Sequence, residues 1–308
     1  MISMKNKGYI CIFITLIAFS SFEIAGKMIA GQINPFQMTF IRFMIGGLFL
    51  LPFAIKELRA RKFVLTYKDY LFFALTGTIG IVISMSALQY GILFTKASIA
   101  AVIFSTNPIF TIPLACIILK EKLTMGKIIS ICISLVGIVF IFNPFGVNGD
   151  IKGMIFAFIA AVTFALYGII NKTRLARYGS TIINGFSFII GSTLLLVGML
   201  FFQIPVLEGI SSHNIAHLLY LGIFVTGIGY LCYFAAMKYT SAITTSMVFF
   251  IKPALAPVLA FMILGEKITP HVFWGIICVI VAAAIMFVQN KGTSEKNSKP
   301  VVETLAES

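Results

Sequence analysis

The chain has 308 residues, 59% hydrophobic and only 11% charged, with a formal net charge of +13. A soluble domain carries about 45–50% apolar and about 25% charged residues, so a water-soluble fold is excluded, because 31 Phe must face something other than water. The basic excess is placed for a bilayer and not for nucleic acid. With a cytoplasmic N-terminus, 17 of the 23 Lys and Arg fall on inner segments, four on outer ones and two, Arg42 and Lys252, inside apolar stretches. This positive-inside asymmetry predicts a multi-pass cell-membrane protein with both termini cytoplasmic.

A span needs about 20 apolar residues. The first such stretch, 8–29, is long for a signal-peptide core and lacks a small-residue cleavage site, so it reads as helix 1. Others follow at 35–55, 70–90, 97–119, 126–143, 153–171, 181–203, 214–236, 242–265 and 270–289. The loops are short. The tail 291–308, rich in Lys, Glu and Ser, has no apolar period and reads as a disordered cytoplasmic segment. Five Cys all fall within apolar spans without framework spacing and read as small buried hydrophobes.

Two of these stretches say nearly the same thing. Residues 97–122 end in Leu-Lys-Glu-Lys and 242–267 in Leu-Gly-Glu-Lys, with Pro108 recurring as Pro253 and Glu121 as Glu266, each 145 later. The same step joins Phe19 to Phe164, Lys27 to Lys172, Gly46 to Gly191 and Gly77 to Gly222. Five spans per copy is an odd number, so the second copy enters the membrane from the opposite side. The predicted fold is therefore an all-α integral membrane protein of ten transmembrane helices, built as two inverted five-helix repeats, 1–145 and 146–290. Many secondary transporters follow this plan, with binding near midplane where the repeats meet.

The arrangement resembles the drug/metabolite transporter superfamily, in particular its EamA-type members. The resemblance is carried by Ser-Phe-Glu-Ile-Ala-Gly-Lys at 21–27, Phe-Ile-Arg-Phe at 40–43 and the paired Pro…Leu-x-Glu-Lys boxes at 108–122 and 253–267, and it covers 5–290. It implies a central cavity lined by helices 1–4 and 6–9, helices 5 and 10 at the periphery, and movement of small metabolites by alternating access. Glu23 and Lys252 depart from the family's commoner uncharged residues.

An ionisable side chain in hydrocarbon costs about 2.5–3.5 kcal/mol on insertion scales and marks function by default. Glu23, Arg42 and Lys252 are such groups, and at 145 residues' distance they correspond to the uncharged Gly168, Ser187 and Asn107. The expected substrate-binding set is Lys252 and Arg42 holding a carboxylate or phosphate, Glu23 balancing them or carrying a proton, and Asn107, Tyr167 and Tyr230 as polar neighbours. The rival readings are a Glu23–Arg42 bridge that only locks helices 1 and 2, and a snorkelling Lys252. Pro108 and Pro253 are the expected gating bends, each removing an amide donor within a helix; a fixed kink is the alternative.

No metal site or cofactor motif is expected: His213 and His217 lack HExxH, and no phosphate-binding glycine motif is present. The function these readings give is export of a small organic metabolite, an amino acid or related anionic or zwitterionic solute or a drug. Protons are a candidate coupling ion and a homodimer a candidate assembly. A membrane-embedded enzyme and a lipid-interacting structural subunit are the alternatives; the first would want converging His, Asp or Ser, which the sequence does not supply.

Overall fold

The computed structural model describes residues 4–121, 123–142 and 151–265, and within 270–285 all but 272, 279 and 283. Lys122, Glu266 and Lys267 of the repeated boxes and the tail 291–308 lie outside the described residues. The described chain is almost wholly helical. In order it forms α1 (Met4–Met28), α2 (Pro35–Ala60), α3 (Tyr67–Phe94), α4 (Ala97–Ile118), α5 (Met125–Phe142), α6 (Ile151–Tyr178), α7 (Ser180–Phe201), α8 (Ile215–Tyr239), α9 (Ala242–Leu264) and a shorter apolar helix α10 (Phe273–Ala282). Eight of these, all but α5 and α10, are long and apolar enough to cross a membrane.

Several helices outrun the expected spans at the predicted inner side. α1 begins at Met4, α2 continues to Ala60, α3 begins at Tyr67 and α6 continues to Tyr178. Hydropathy marks where side chains turn polar, but backbone hydrogen bonding continues past that point. Local chemistry sets the ends. Asn34 and Gln37 form a capping box at α2, with Pro35 in its first turn. Thr66 and Asp69 form another at α3. Gly179, alone between α6 and α7, adopts φ +82°, where a side chain would be strained.

Helices α4 and α9 are broken. α4 runs helically over Ala97–Phe104 and Asn107–Ile118, and α9 over Ala242–Ser246 and Val248–Leu264. This revises the reading of Pro108 as a mid-helix proline: it stands in the first turn of the second half of α4, where no amide donor is needed. Pro253 does lie inside a helix, but the break in α9 falls earlier, at Met247. α3 and α8 share another irregularity, a π-helical stretch at Thr78–Met85 and at Tyr220–Gly229.

The two copies pack by exchanging contacts. A Cβ on Gly46 of α2 would lie 2.9 Å from Gly222 O of α8, and one on Gly191 of α7 would lie 2.8 Å from Gly77 Cα of α3. Positions 46 and 191, like 77 and 222, are 145 apart. Mates also meet each other directly. Ring centroids are 6.4 Å apart for Phe19–Phe164, 4.9 Å for Phe43–Phe188 and 5.6 Å for Phe104–Phe249. The Tyr230 hydroxyl donates to Met85 Sδ at 3.0 Å, also 145 residues away. Reciprocal contacts of this kind, together with mates that touch each other, are those of an isologous packing of two like units. α5 and α10 stand aside, exposing Val139, Phe140, Phe273 and Trp274.

Candidate functional site: a buried ionic cavity between the two copies

Where those mates meet lies a cavity of about 10 Å³, room for roughly one water. Its apolar walls are Phe19 and Phe22 of α1, Met85 and Leu88 of α3, Phe104 of α4, Phe164 of α6 and Val225 of α8. Three polar side chains interrupt them: Arg42 of α2, Tyr230 of α8 and Lys252 of α9.

The ionic groups are fully enclosed. Lys252 Nζ donates to Glu23 Oε1 in an ion pair with neither side chain exposed. The ammonium also lies 4.9 Å from the Phe104 ring centroid. Glu23 Oε2 is buried without a hydrogen-bond partner. Arg42 is 1% exposed, and its Nε and Nη2 have no acceptor. Its guanidinium is held instead against ring faces, 4.3 Å from the Phe22 centroid and 4.6 Å from Phe43. Such cation–π contacts contribute about 0.5–2 kcal/mol each. They do not replace the missing acceptors.

This corrects the rival reading of a Glu23–Arg42 bridge. Glu23 and Arg42 lie at similar distances from the loop that joins α1 to α2, yet the carboxylate goes to Lys252, whose long stem reaches it. Arg42, Lys252 and Tyr230 border one space, with Glu23 bound to Lys252 behind it. Asn107 does not join them: Nδ2 donates to Ala161 O at 3.0 Å and Oδ1 accepts from Thr111 Oγ1 at 2.8 Å. Tyr167 is packed under Gly80, where a Cβ would come within 2.5 Å of its ring. Its hydroxyl has no partner, and it does not border the cavity. Pro108 and Pro253 are likewise absent from the lining.

The aromatic wall was not anticipated as part of the site. Its signal was present in Phe19 and Phe164, which repeat at the common step and both line the cavity, and in Phe104, whose mate Phe249 packs against it. Two peripheral ties were also missed. Asp69 Oδ1 accepts from Arg177 Nη2 at 2.9 Å and from the Tyr178 hydroxyl, joining the start of α3 to the end of α6. The Glu121 carboxylate accepts from the amides of Ala242 and Ile243 at 2.9 and 3.3 Å, capping α9 from the other copy. The Glu of the repeated box thus has a stated task at α9. Lys27 donates to Ile92 O at 3.0 Å, and its mate Lys172 donates to Met237 O, again 145 residues on.

The model of the EamA-like transporter family matches residues 6–143 and again 151–288, the second match displaced from the first by the same 145 residues. The chain belongs to the EamA-like transporter family. A transporter of Clostridium kluyveri, described as uncharacterized, is 46% identical over 298 residues, covering 94% of this chain and 96% of its own. The S-adenosylmethionine uptake transporter of Rickettsia prowazekii is 24% identical, covering 94% and 95%. A solved crystal structure superposes with a TM-score of 0.72 at 17% identity, covering 93% of this chain and 98% of that one. This EamA-like transporter therefore has a fold already seen by experiment, and its helices α1–α4 and α6–α9 supply the packed interior.

Proposed function

We propose that this EamA-like transporter is a secondary transporter of the cell membrane that moves a small organic solute, an amino acid or a related anionic or zwitterionic metabolite, by alternating access. The two copies act as opposed halves of inverted topology, with both termini cytoplasmic, and the cavity between them is the substrate site. One observation carries this reading: two buried cations, Arg42 and Lys252, border a single cavity at the contact between the copies, and the Arg42 guanidinium has donors without partners. Buried ionisable groups in a membrane interior mark solute pathways, and discontinuous helices such as α4 and α9 commonly frame them. Asp69 with Arg177 and Tyr178 closes the predicted inner end between α3 and α6 and parts when that end opens.

Export is the direction we assign; the Rickettsia relative is named for uptake. Glu23, with Oε2 free, is the proton carrier of this scheme. Asn107 and Tyr167 act from behind the walls, and the breaks before Pro108 and at Met247, with Pro253 following inside α9, supply the bends. Counterflow in proteoliposomes tests the whole, using amino acids, nucleosides and organic acids at two pH values and in both orientations. Arg42→Gln or Lys252→Gln in folded protein is expected to lower flux at least about tenfold. Unchanged flux in both variants ends the reading.

A further inference from the structure

The polar atoms that lack partners define the head group this cavity takes. Nε and Nη2 lie along one edge of the Arg42 guanidinium, the edge whose two parallel N–H bonds fit the two oxygens of a carboxylate. Both are buried, unpartnered and on a side chain that borders the cavity. Lys252 is already engaged by Glu23. Among the described residues the site holds two cations and one anion, a net charge of +1. Glu23 itself does not border the cavity, so an entering ammonium would find two cations and no acceptor carboxylate. The rest of the wall is apolar and mainly aromatic, Met85, Leu88 and Val225 completing it, with rings already in contact: Phe19–Tyr230 edge to face at 5.0 Å and Phe104–Phe164 tilted at 5.2 Å. A flat apolar body replaces such ring–ring contacts once the walls part.

We infer that the occupant is a small organic monoanion, a carboxylate head on a flat aromatic or apolar body, rather than a zwitterion or a cation. A monoanion neutralises the site, whereas a zwitterion leaves the net charge in place and buries an ammonium beside Arg42 and Lys252. This narrows the substrate site proposed above, and equilibrium binding tests it without relying on flux.

Purified protein in detergent is titrated with phenylacetate, phenylalanine, 2-phenylethylamine and acetate, and binding is read as thermal stabilisation. Phenylacetate is expected to bind at least about tenfold tighter than each of the others, the ring separating it from acetate and the absent ammonium from the other two. Arg42→Lys, which keeps the charge but loses the two-pronged edge, is expected to weaken phenylacetate about tenfold. Equal or tighter binding of phenylalanine or the amine overturns the inference, and so does the absence of binding by all four. Counterflow with the same compounds separates the two claims. Phenylacetate binding without flux of any solute sinks the transport reading alone; flux of phenylalanine in preference to phenylacetate sinks the monoanion alone.

Discussion

At the scale of single residues, the interior sets an ion pair, Lys252–Glu23, beside a cation, Arg42, that has no counter-ion among the described residues. The difference in partners predicts different consequences of mutation. Glu23→Gln or Lys252→Gln leaves a buried charge without its counter-ion and is expected to cost about 3–5 kcal/mol of stability. The double variant Glu23→Gln/Lys252→Gln replaces the pair with two neutral amides and should recover most of that loss. A double-mutant cycle on detergent-solubilised protein measures it; additive losses would show that the pair does not act as a unit. Arg42 has no such counter-ion, so Arg42→Gln should leave stability nearly unchanged or raise it while lowering transport. The sequence marked all three residues, because a charge in an apolar run is conspicuous. It left open which two would pair, since that depends on helix rotation and on the reach of each side chain.

At the scale of helices, close contact between the copies rests on glycines. Gly77 has Gly191 so near that a Cβ would fall 2.7 Å from its Cα, whereas a Cβ at Gly198 meets nothing within 4 Å. Backbone atoms cannot swing aside as a flexible side chain does, so Gly77→Ala is expected to destabilise by about 1–3 kcal/mol. Gly198→Ala, inside α7, should be neutral or stabilising by a few tenths to about 1 kcal/mol. Thermal unfolding of the two variants side by side checks the contrast, and similar midpoints would refute it. Both glycines stand in apolar helices of similar composition, so local sequence does not distinguish them. The repeat pointed to Gly77, by returning it as Gly222, and so did the spacing Gly77-x-x-Gly80, which reads as a helix-packing pair. The π-helical stretches in α3 and α8 were not read from sequence either, because hydropathy is insensitive to whether a turn closes at four residues or five.

At the scale of the whole molecule, the inverted topology proposed above would join the charge asymmetry to the exchange of contacts between copies, since inverted halves require opposite crossings. In a background without native cysteines, Val64→Cys and Leu207→Cys place thiols on the exposed loops 61–66 and 202–214. A membrane-impermeant maleimide should label Leu207→Cys in intact cells and Val64→Cys only in inverted vesicles. The reverse pattern would turn the molecule over and exchange the assigned inner and outer ends.

The class of protein, the helical architecture and the duplication were legible along the chain. Hydropathy along the chain fixes what solvent each segment tolerates, and an unbroken 145-residue register leaves little freedom in helix and loop lengths. The three buried charges were legible too, since their cost in hydrocarbon depends on position in the chain more than on neighbours. Packing alone decided that Glu23 takes Lys252, that Arg42 keeps an unpartnered edge, and that phenylalanines from both copies, Phe19, Phe22 and Phe104 with Phe164, wall the space. Those outcomes depend on which faces of seven helices converge, and convergence is a property of packing between distant segments.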